Sequence, residues 1–534
     1  MKNLIIVLLF VFCSFIGYSQ QWKWAKGLGG SSAERAWDIT WANGVITVGQ
    51  FEGELVINEN TYLSEGITDV FIVKMNNLGT VLYTQTFGST GEDVALSVDT
   101  DLEGNVYVTG YFTGELTILG ETYIAEGWDS YIVKLDTEGN MIDFFRFQNV
   151  SSDIGYGLSV DNENNILVTG WFQETINFSE SLSLASYGGS DIFVAKFSAD
   201  LTPLWAKHAG TESIEYGYKL STDEANNIYV TGVAGMNTNF DGMLLSNSGV
   251  FVAKYNTNGE IQKLGNNTGS GVNSISVSPD GSGFITGRLT GSAYFNGEND
   301  TLVNSLNGTD DVYVAKFNNN CEWLWVRLGA GEGSNKGRAC NADANGNVYV
   351  TGSFNAQIDF NSWKLTANEG ADDIFVAKYS SDGALQHLYA AGGEFSDIPT
   401  AICNNADTVY ITGWYNGTTT FGDFDLTSIT GADLNFFNAA LELTTTGINK
   451  TENNSTFSIT PNPARDFVNV NFSEQEVFGN GTYKIVDVNG RTVLGGDCKT
   501  NSFSVNINTL PQGVYFILIE TENKTLSEKF VKIF

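Results

Sequence analysis

Short runs in which Val, Ile, Tyr and Phe alternate with polar residues fill the chain from Trp22 almost to its end, separated by clusters of Gly, Asn and Asp. A period of two marks half-buried strands, and the clusters between them mark hairpin turns. The repeated region shows no helix-period segment, so the expected class is all-β. One run recurs: ITVG at Ile46–Gly49, NVYVTG at Asn105–Gly110, ILVTG at Ile166–Gly170, IYVTG at Ile228–Gly232, FITG at Phe284–Gly287, VYVTG at Val348–Gly352 and VYITG at Val409–Gly413. The glycines of these seven copies lie 61, 60, 62, 55, 65 and 61 residues apart. A fixed period of that length belongs to stacked or radial repeats.

Each repeat parses into four strands. In the second they are Val94–Asp99, Asn105–Phe112, Asp129–Leu135 and Met141–Gln148. The third strand carries DxFVAK or close variants, with lysines at Lys74, Lys134, Lys196, Lys254, Lys316 and Lys378. The expectation for these is a stem packed between units and a head paired with a nearby acid. The chain opens with a fourth strand, Trp22–Gly30, that has no first three before it, and the seventh repeat stops after its third strand near Leu443. The two ends complete each other. An N-terminal strand that fills the last sheet closes a ring and removes exposed edges. The fold expected for residues 20–443 is therefore a seven-bladed β-propeller closed by an N-terminal strand. With their GNVYVTG and DIFVAK strands, the repeats resemble the bacterial seven-bladed β-propeller repeat family over roughly Trp22–Leu443; the fourth, with VAGMNTNFDG after its motif, departs most. That resemblance implies a fold and leaves chemistry open, since propellers host binding modules and enzymes alike.

A polar stretch at residues 444–456 reads as a linker. Residues 457–534 read as a small C-terminal β-sandwich, with Asn489-Gly490 as a hairpin turn. This tail resembles the type A C-terminal sorting domain of the type IX secretion system of Bacteroidetes, on Pro461, Asn462, Pro463, the Asp487 turn with Asn489 and Gly490, Gly513, Tyr515, Lys529 and Lys532. The resemblance implies passage through the type IX machinery, followed by surface attachment or release. At the other end, Lys2 and the apolar run Leu4–Phe12 before Gly17 and Ser19 read as a secretory signal over residues 1–19, too short to span a bilayer as an anchor. Cys13 follows the bulky Phe12, which argues against a lipoprotein site. The expected location is extracellular or the outer-membrane surface, with no membrane span in the mature protein.

Composition narrows the partners. A net charge of −34, from 61 acidic and 27 basic residues, argues against nucleic acid and anionic membranes. The excess lies in the repeats, because residues 457–534 hold 7 basic and 8 acidic residues. Cys340 and Cys403 occupy equivalent repeat positions, which favours small buried hydrophobes over a bridge, and no cysteine spacing suggests zinc.

Candidate chemistry is sparse. The two histidines, His208 and His387, both fall in fourth strands, so a channel-centred Ser-His-Asp triad or a multi-histidine metal site is not available. Asp99 and Asp101 resemble a fragment of a calcium loop without its distal acid, and an ordinary turn is the competing reading; no other cofactor is expected. The informative positions are those where the copies differ. Directly after the repeated glycine stand Tyr111, Trp171, Val233, Arg288, Ser353 and Trp414. Of these, Tyr111, Trp171, Arg288 and Trp414 are the candidate ligand contacts, since aromatic faces suit sugar rings; filling space between blades is the alternative. The expected function is a binding or adhesion module for a glycan or a surface protein. A carbohydrate-active enzyme using channel carboxylates and a purely structural surface module remain alternatives.

Overall fold

In the second repeat, Asp93–Thr100, Val106–Phe112, Asp129–Leu135 and Met141–Arg146 pair in sequence order as an antiparallel sheet. The computed structural model describes residues 22–534 except 296–300, 307, 362, 369–370, 407, 430–433, 444–456, 462–463, 473–480, 488–490, 499, 501, 521–524 and 534. The leader at 1–19 and the linker at 444–456 thus lie outside the described residues. The chain divides into two compact units, Met1–Leu443 and Thr444–Phe534.

Within the first unit the four-strand pattern of the second repeat returns, giving seven antiparallel groups among the described residues, in an all-β, propeller-like arrangement. In the seventh, the fourth strand is Trp22–Gly30, paired with Leu434–Glu442 from Trp22 opposite Leu441 to Leu28 opposite Phe436. First strands neighbour one another in order, and that of the seventh repeat, Ile398–Asn405, neighbours that of the first, Glu34–Trp41. Apolar layers form between successive sheets: Ile46, Val48 and Ile72 of the first repeat pack with Val108, Leu116 and Tyr131 of the second. The same layer joins the last repeat to the first, where Phe436 stacks on Phe71 at 4.4 Å.

The repeated glycine has a packing cause. A Cβ on Gly110 would stand 1.9 Å from the carbonyl oxygen of Val94, and one on Gly170 would stand 1.8 Å from that of Ile154. At this level the first strand bulges: its register against the second shifts between Ala95 and Ser97, and again between Gly155 and Gly157. A bulge places two residues opposite one and turns the extra side chain out of the strand's alternation.

Two expectations need correction. The parse into four strands per repeat leaves out the connection between second and third strands, which forms a hairpin in most repeats. In the first repeat Glu54–Ile57 pairs with Asn60–Leu63 and also with Trp22–Gly30, and in the sixth Gln357–Phe360 pairs with the preceding outer strand, Trp323–Gly331. Each such hairpin covers a neighbour's free edge. The divergent fourth repeat keeps a stub, Asn239–Phe240 with Met243–Leu244.

The second correction concerns the lysines. Only Lys196, 2.8 Å from Asp161, has a carboxylate within salt-bridge distance among the six. Its neighbour on the second strand is Leu167. Where that neighbour is aromatic the ammonium lies over the ring, as Lys134 does on Tyr107 at 5.3 Å and Lys378 on Tyr349 at 4.9 Å. Its head then reaches a carbonyl of the next repeat: Lys134 donates to Ala199 O at 2.8 Å and Lys316 to Ser381 O at 3.1 Å. Ring and carbonyl replace the acid as the stabilising partners.

The second unit has a three-stranded sheet, Phe457–Thr460, Phe467–Phe472 and Ser502–Asn506, and a four-stranded one built on Gly481–Asp487 and Gly513–Glu520. Val468, Val470, Val505, Ile485, Ile517 and Phe530 share its core.

Candidate functional site

The bulge sets the geometry of one end of the repeat unit. The extra residue is Trp37, Leu96, Tyr156, Tyr218, Asn273, Arg338 and Thr400 in repeats one to seven. All seven line one cavity of about 980 Å³. Flanking residues are small in most copies, as with Gly155 and Gly157 about Tyr156 or Gly337 and Ala339 about Arg338. A variable residue between small ones in each first strand is the signal that sequence reading passed over.

Around this ring stand the cross-strand pairs that include the residue after the glycine. Tyr111 lies opposite Val94, Arg288 opposite Gly271 and Gln50 opposite Arg35, and all six line the cavity. Of the four predicted ligand contacts, Tyr111 and Arg288 therefore come together. Trp171 does not line the cavity: it is 6% exposed, between Trp128 at 6.1 Å and Tyr216 at 5.8 Å. Trp414, half-buried opposite Ile398 and Phe436, also lies outside the lining. Val233 lines it, and Ser353 is buried.

Electrostatics differ sharply from the chain as a whole. Arg35, Lys219, Arg288, Lys336 and Arg338 line the cavity beside a single carboxylate, Glu92. Lys219 of the fourth repeat reaches Asp38 of the first at 2.8 Å and Ser97 of the second at 3.1 Å. Burial holds the Tyr111 hydroxyl well above the usual phenol range, reinforced by Glu92, its hydrogen-bond acceptor. Burial also pushes Tyr218 up to about 12, with Arg288 pulling the other way. The Arg338 guanidinium is pulled down by burial and by Arg288, against Asp372, and its Nε is buried without a hydrogen-bond partner among the described residues.

The other candidates lie elsewhere. Asp101 accepts the backbone N–H groups of Glu103 and Asn105 at 3.0 and 2.9 Å, an Asx turn. Asp99, pushed up to about 6 by burial, accepts Val160 N–H at 2.9 Å from the next repeat. The two carboxylates thus face different partners, and no group of three metal-ligating side chains gathers among the described residues. His208 and His387 sit in the outer strands Pro203–Gly210 and Leu385–Gly393, both pulled down by burial. All four described cysteines are buried and free.

In the second unit, Tyr515 is buried, stacks on Phe530 at 5.8 Å and donates to Pro511 O at 2.9 Å. Gly513 opens that strand, Lys529 lies in Thr525–Lys532, and Lys532 donates to Ile533 O. Pro461 is exposed and Asp487 ends its strand, whereas Asn462, Pro463, Asn489 and Gly490 lie outside the described residues. These strands decide the export route. Residues 458–533 match the secretion system C-terminal sorting domain. A sorting domain of this type engages the type IX machinery and directs export to the cell surface, the outer membrane or the medium.

For the repeats, the chain is similar to an uncharacterized WD repeat-containing protein, L264, of Acanthamoeba polyphaga mimivirus, 24% identical over 64% of this chain and 31% of that protein. The chain spans about a third of that relative's length. Among solved structures it is similar to PorZ, described as an essential surface component of the type-IX secretion system of Porphyromonas gingivalis, at 11% identity and TM-score 0.20 over 96% of this chain and 100% of that one. The extracellular domain of BT4673 from B. thetaiotaomicron aligns at 9% identity and TM-score 0.18 over 93% and 92%. No helix among the described residues is long and apolar enough to cross a membrane.

Proposed function

We propose that this chain is an extracellular binding module: a closed seven-bladed propeller, carried out by the sorting domain and either displayed or released, that holds a glycan or a segment of a surface protein in the cavity at one end of its ring. Residues 20–443 form the module, 1–19 the leader, 444–456 the linker and 457–534 the export tail. Ring closure is supported by the cyclic order of first strands and by the pairing of Trp22–Gly30 with Leu434–Glu442. The observation that carries the function is the convergence of seven bulged, non-repeated residues, one from each repeat, on a single cavity. Repetition builds the scaffold, and the positions released from repetition meet where a ligand fits. A glycosidase would need two carboxylates flanking the bond, and Glu92 is the only carboxylate lining this cavity among the described residues.

A glycan array probed with the full chain tests the reading. Tyr111→Ala and Trp128→Ala, at exposed or half-buried rings of the lining, are expected to weaken the signal about tenfold, with melting unchanged, because stacked rings supply much of sugar affinity. Binding that survives both changes overturns this cavity as the site.

A further inference from the structure

The walls of the cavity differ in chemistry, with Trp37 of repeat one and Lys219 of repeat four crossing the division. Repeats two to four contribute rings in contact: Tyr111 and Trp128 have centroids 5.9 Å apart, and Tyr156 and Tyr218 are 5.6 Å apart. Repeats five, six and one contribute Arg288, Lys336, Arg338 and Arg35. Asp310 is shared loosely between Arg288 at 3.8 Å and Lys336 at 3.9 Å, and no carboxylate lies within 4.0 Å of Arg35 or Arg338 among the described residues. Five cations line the cavity; after Glu92, Asp38, Asp310 and Asp372 are set against them, a surplus of one remains among the described residues. The whole chain carries −34. Gathering five cations in one cavity costs folding energy through their mutual repulsion, and a bound anion offsets that cost.

We propose that the cavity takes a saccharide bearing negative charge, a uronate carboxylate or a sulfate ester, with its ring against Tyr111 and Trp128 and its oxyanion among Arg35, Arg288, Lys336 and Arg338. The inference rests on the binding-module reading above and specifies its ligand. Guanidinium groups match the forked oxygens of carboxylate and sulfate, and the unpartnered Nε of Arg338 supplies a donor already desolvated. The aromatic wall selects a sugar over an acidic peptide, because flat rings match the C–H faces of a pyranose. A cavity of about 980 Å³ admits a short oligosaccharide.

Calorimetry on the full chain tests this with four probes: trigalacturonate, its methyl ester, a sulfated galactose trisaccharide and tetra-aspartate. The expected result is binding of trigalacturonate, of the sulfated sugar or of both, weakened by added salt, with the methyl ester at least about tenfold weaker. Arg338→Gln and Arg35→Gln should each weaken the charged sugar about tenfold and leave the ester unchanged. Arg35 is half-buried, so Arg35→Gln with an unaltered melting curve keeps the test valid should the Arg338 variant misfold. An ester that binds as tightly as the acid overturns the anionic class and leaves a saccharide module standing. Tetra-aspartate bound above every sugar overturns the saccharide assignment. Silence from all four overturns the inference, and the glycan array separately decides whether any binding module remains.

Discussion

At the scale of single residues, the repeat unit keeps carboxylates where water does not reach. Burial raises Asp93 and Asp153 to about 7 and Asp397 to about 8, and it outweighs Arg146 at Asp129, which rises to about 6. An acid whose folded pKa exceeds its unfolded value binds more protons when folded. Its stabilising contribution is therefore complete below about 4 and is lost as pH rises through the folded value. His208 and His387, lowered by burial, act in the opposite sense near their ordinary range, but they are two against seven acids raised to about 6–8, Asp99, Asp191 and Asp373 included. The melting temperature should fall by several degrees from pH 5 to pH 8, and Asp397→Asn should flatten that slope; a melting temperature that rises over this interval contradicts the assignment. Half of the candidate site was legible at this scale. The residue after the glycine led to Tyr111 and Arg288, which line the cavity, but strict alternation could not place Trp37, Tyr156 or Arg338. A bulge reverses the inward and outward phase for one residue, and its trace in the sequence is only the small residues on either side. Trp171 misled because a large ring after the glycine serves packing as readily as binding.

Between elements, the third-strand lysine is a clasp whose partner depends on the residue across from it. With Tyr107 opposite, Lys134 is held by a ring and a carbonyl; with Leu167 opposite, Lys196 is held by the buried Asp161. The costs of removal should differ accordingly. Lys134→Met should cost about 1 kcal/mol, the scale of one cation–π contact and one hydrogen bond. Lys196→Met should cost about 3–5 kcal/mol, because it strands a buried carboxylate. Chemical denaturation of both variants measures the order, and equal losses would mean the ring is no substitute for the acid. The four strands of the second repeat were legible from alternation and turn residues, with ends displaced by one or two positions. The hairpin between second and third strands was not, since its four-residue strands are bounded by turns and bury only alternate side chains against a neighbouring sheet.

For the whole molecule, seven units share one kind of interface, and the seam between last and first is packed like the rest. Trp22 meets Phe421 edge-on at 5.0 Å, and the hairpin of the first repeat continues the sheet that Trp22–Gly30 completes. A chain lacking Trp22–Gly30 should lose several kcal/mol of stability and expose Leu434–Glu442 as an edge, visible as a lowered melting temperature and self-association in sedimentation. Adding the nine-residue strand as a peptide should reverse both effects; a truncated chain that stays monomeric and melts unchanged would mean the strand closes nothing. The arrangement also imposes a schedule. Trp22–Gly30 waits for its partner, because Leu434–Glu442 is made about four hundred residues later. Until then Trp22–Gly30 lacks its neighbour, so a chain cut short anywhere in the repeats is left with that strand unpaired on the side that Leu434–Glu442 covers.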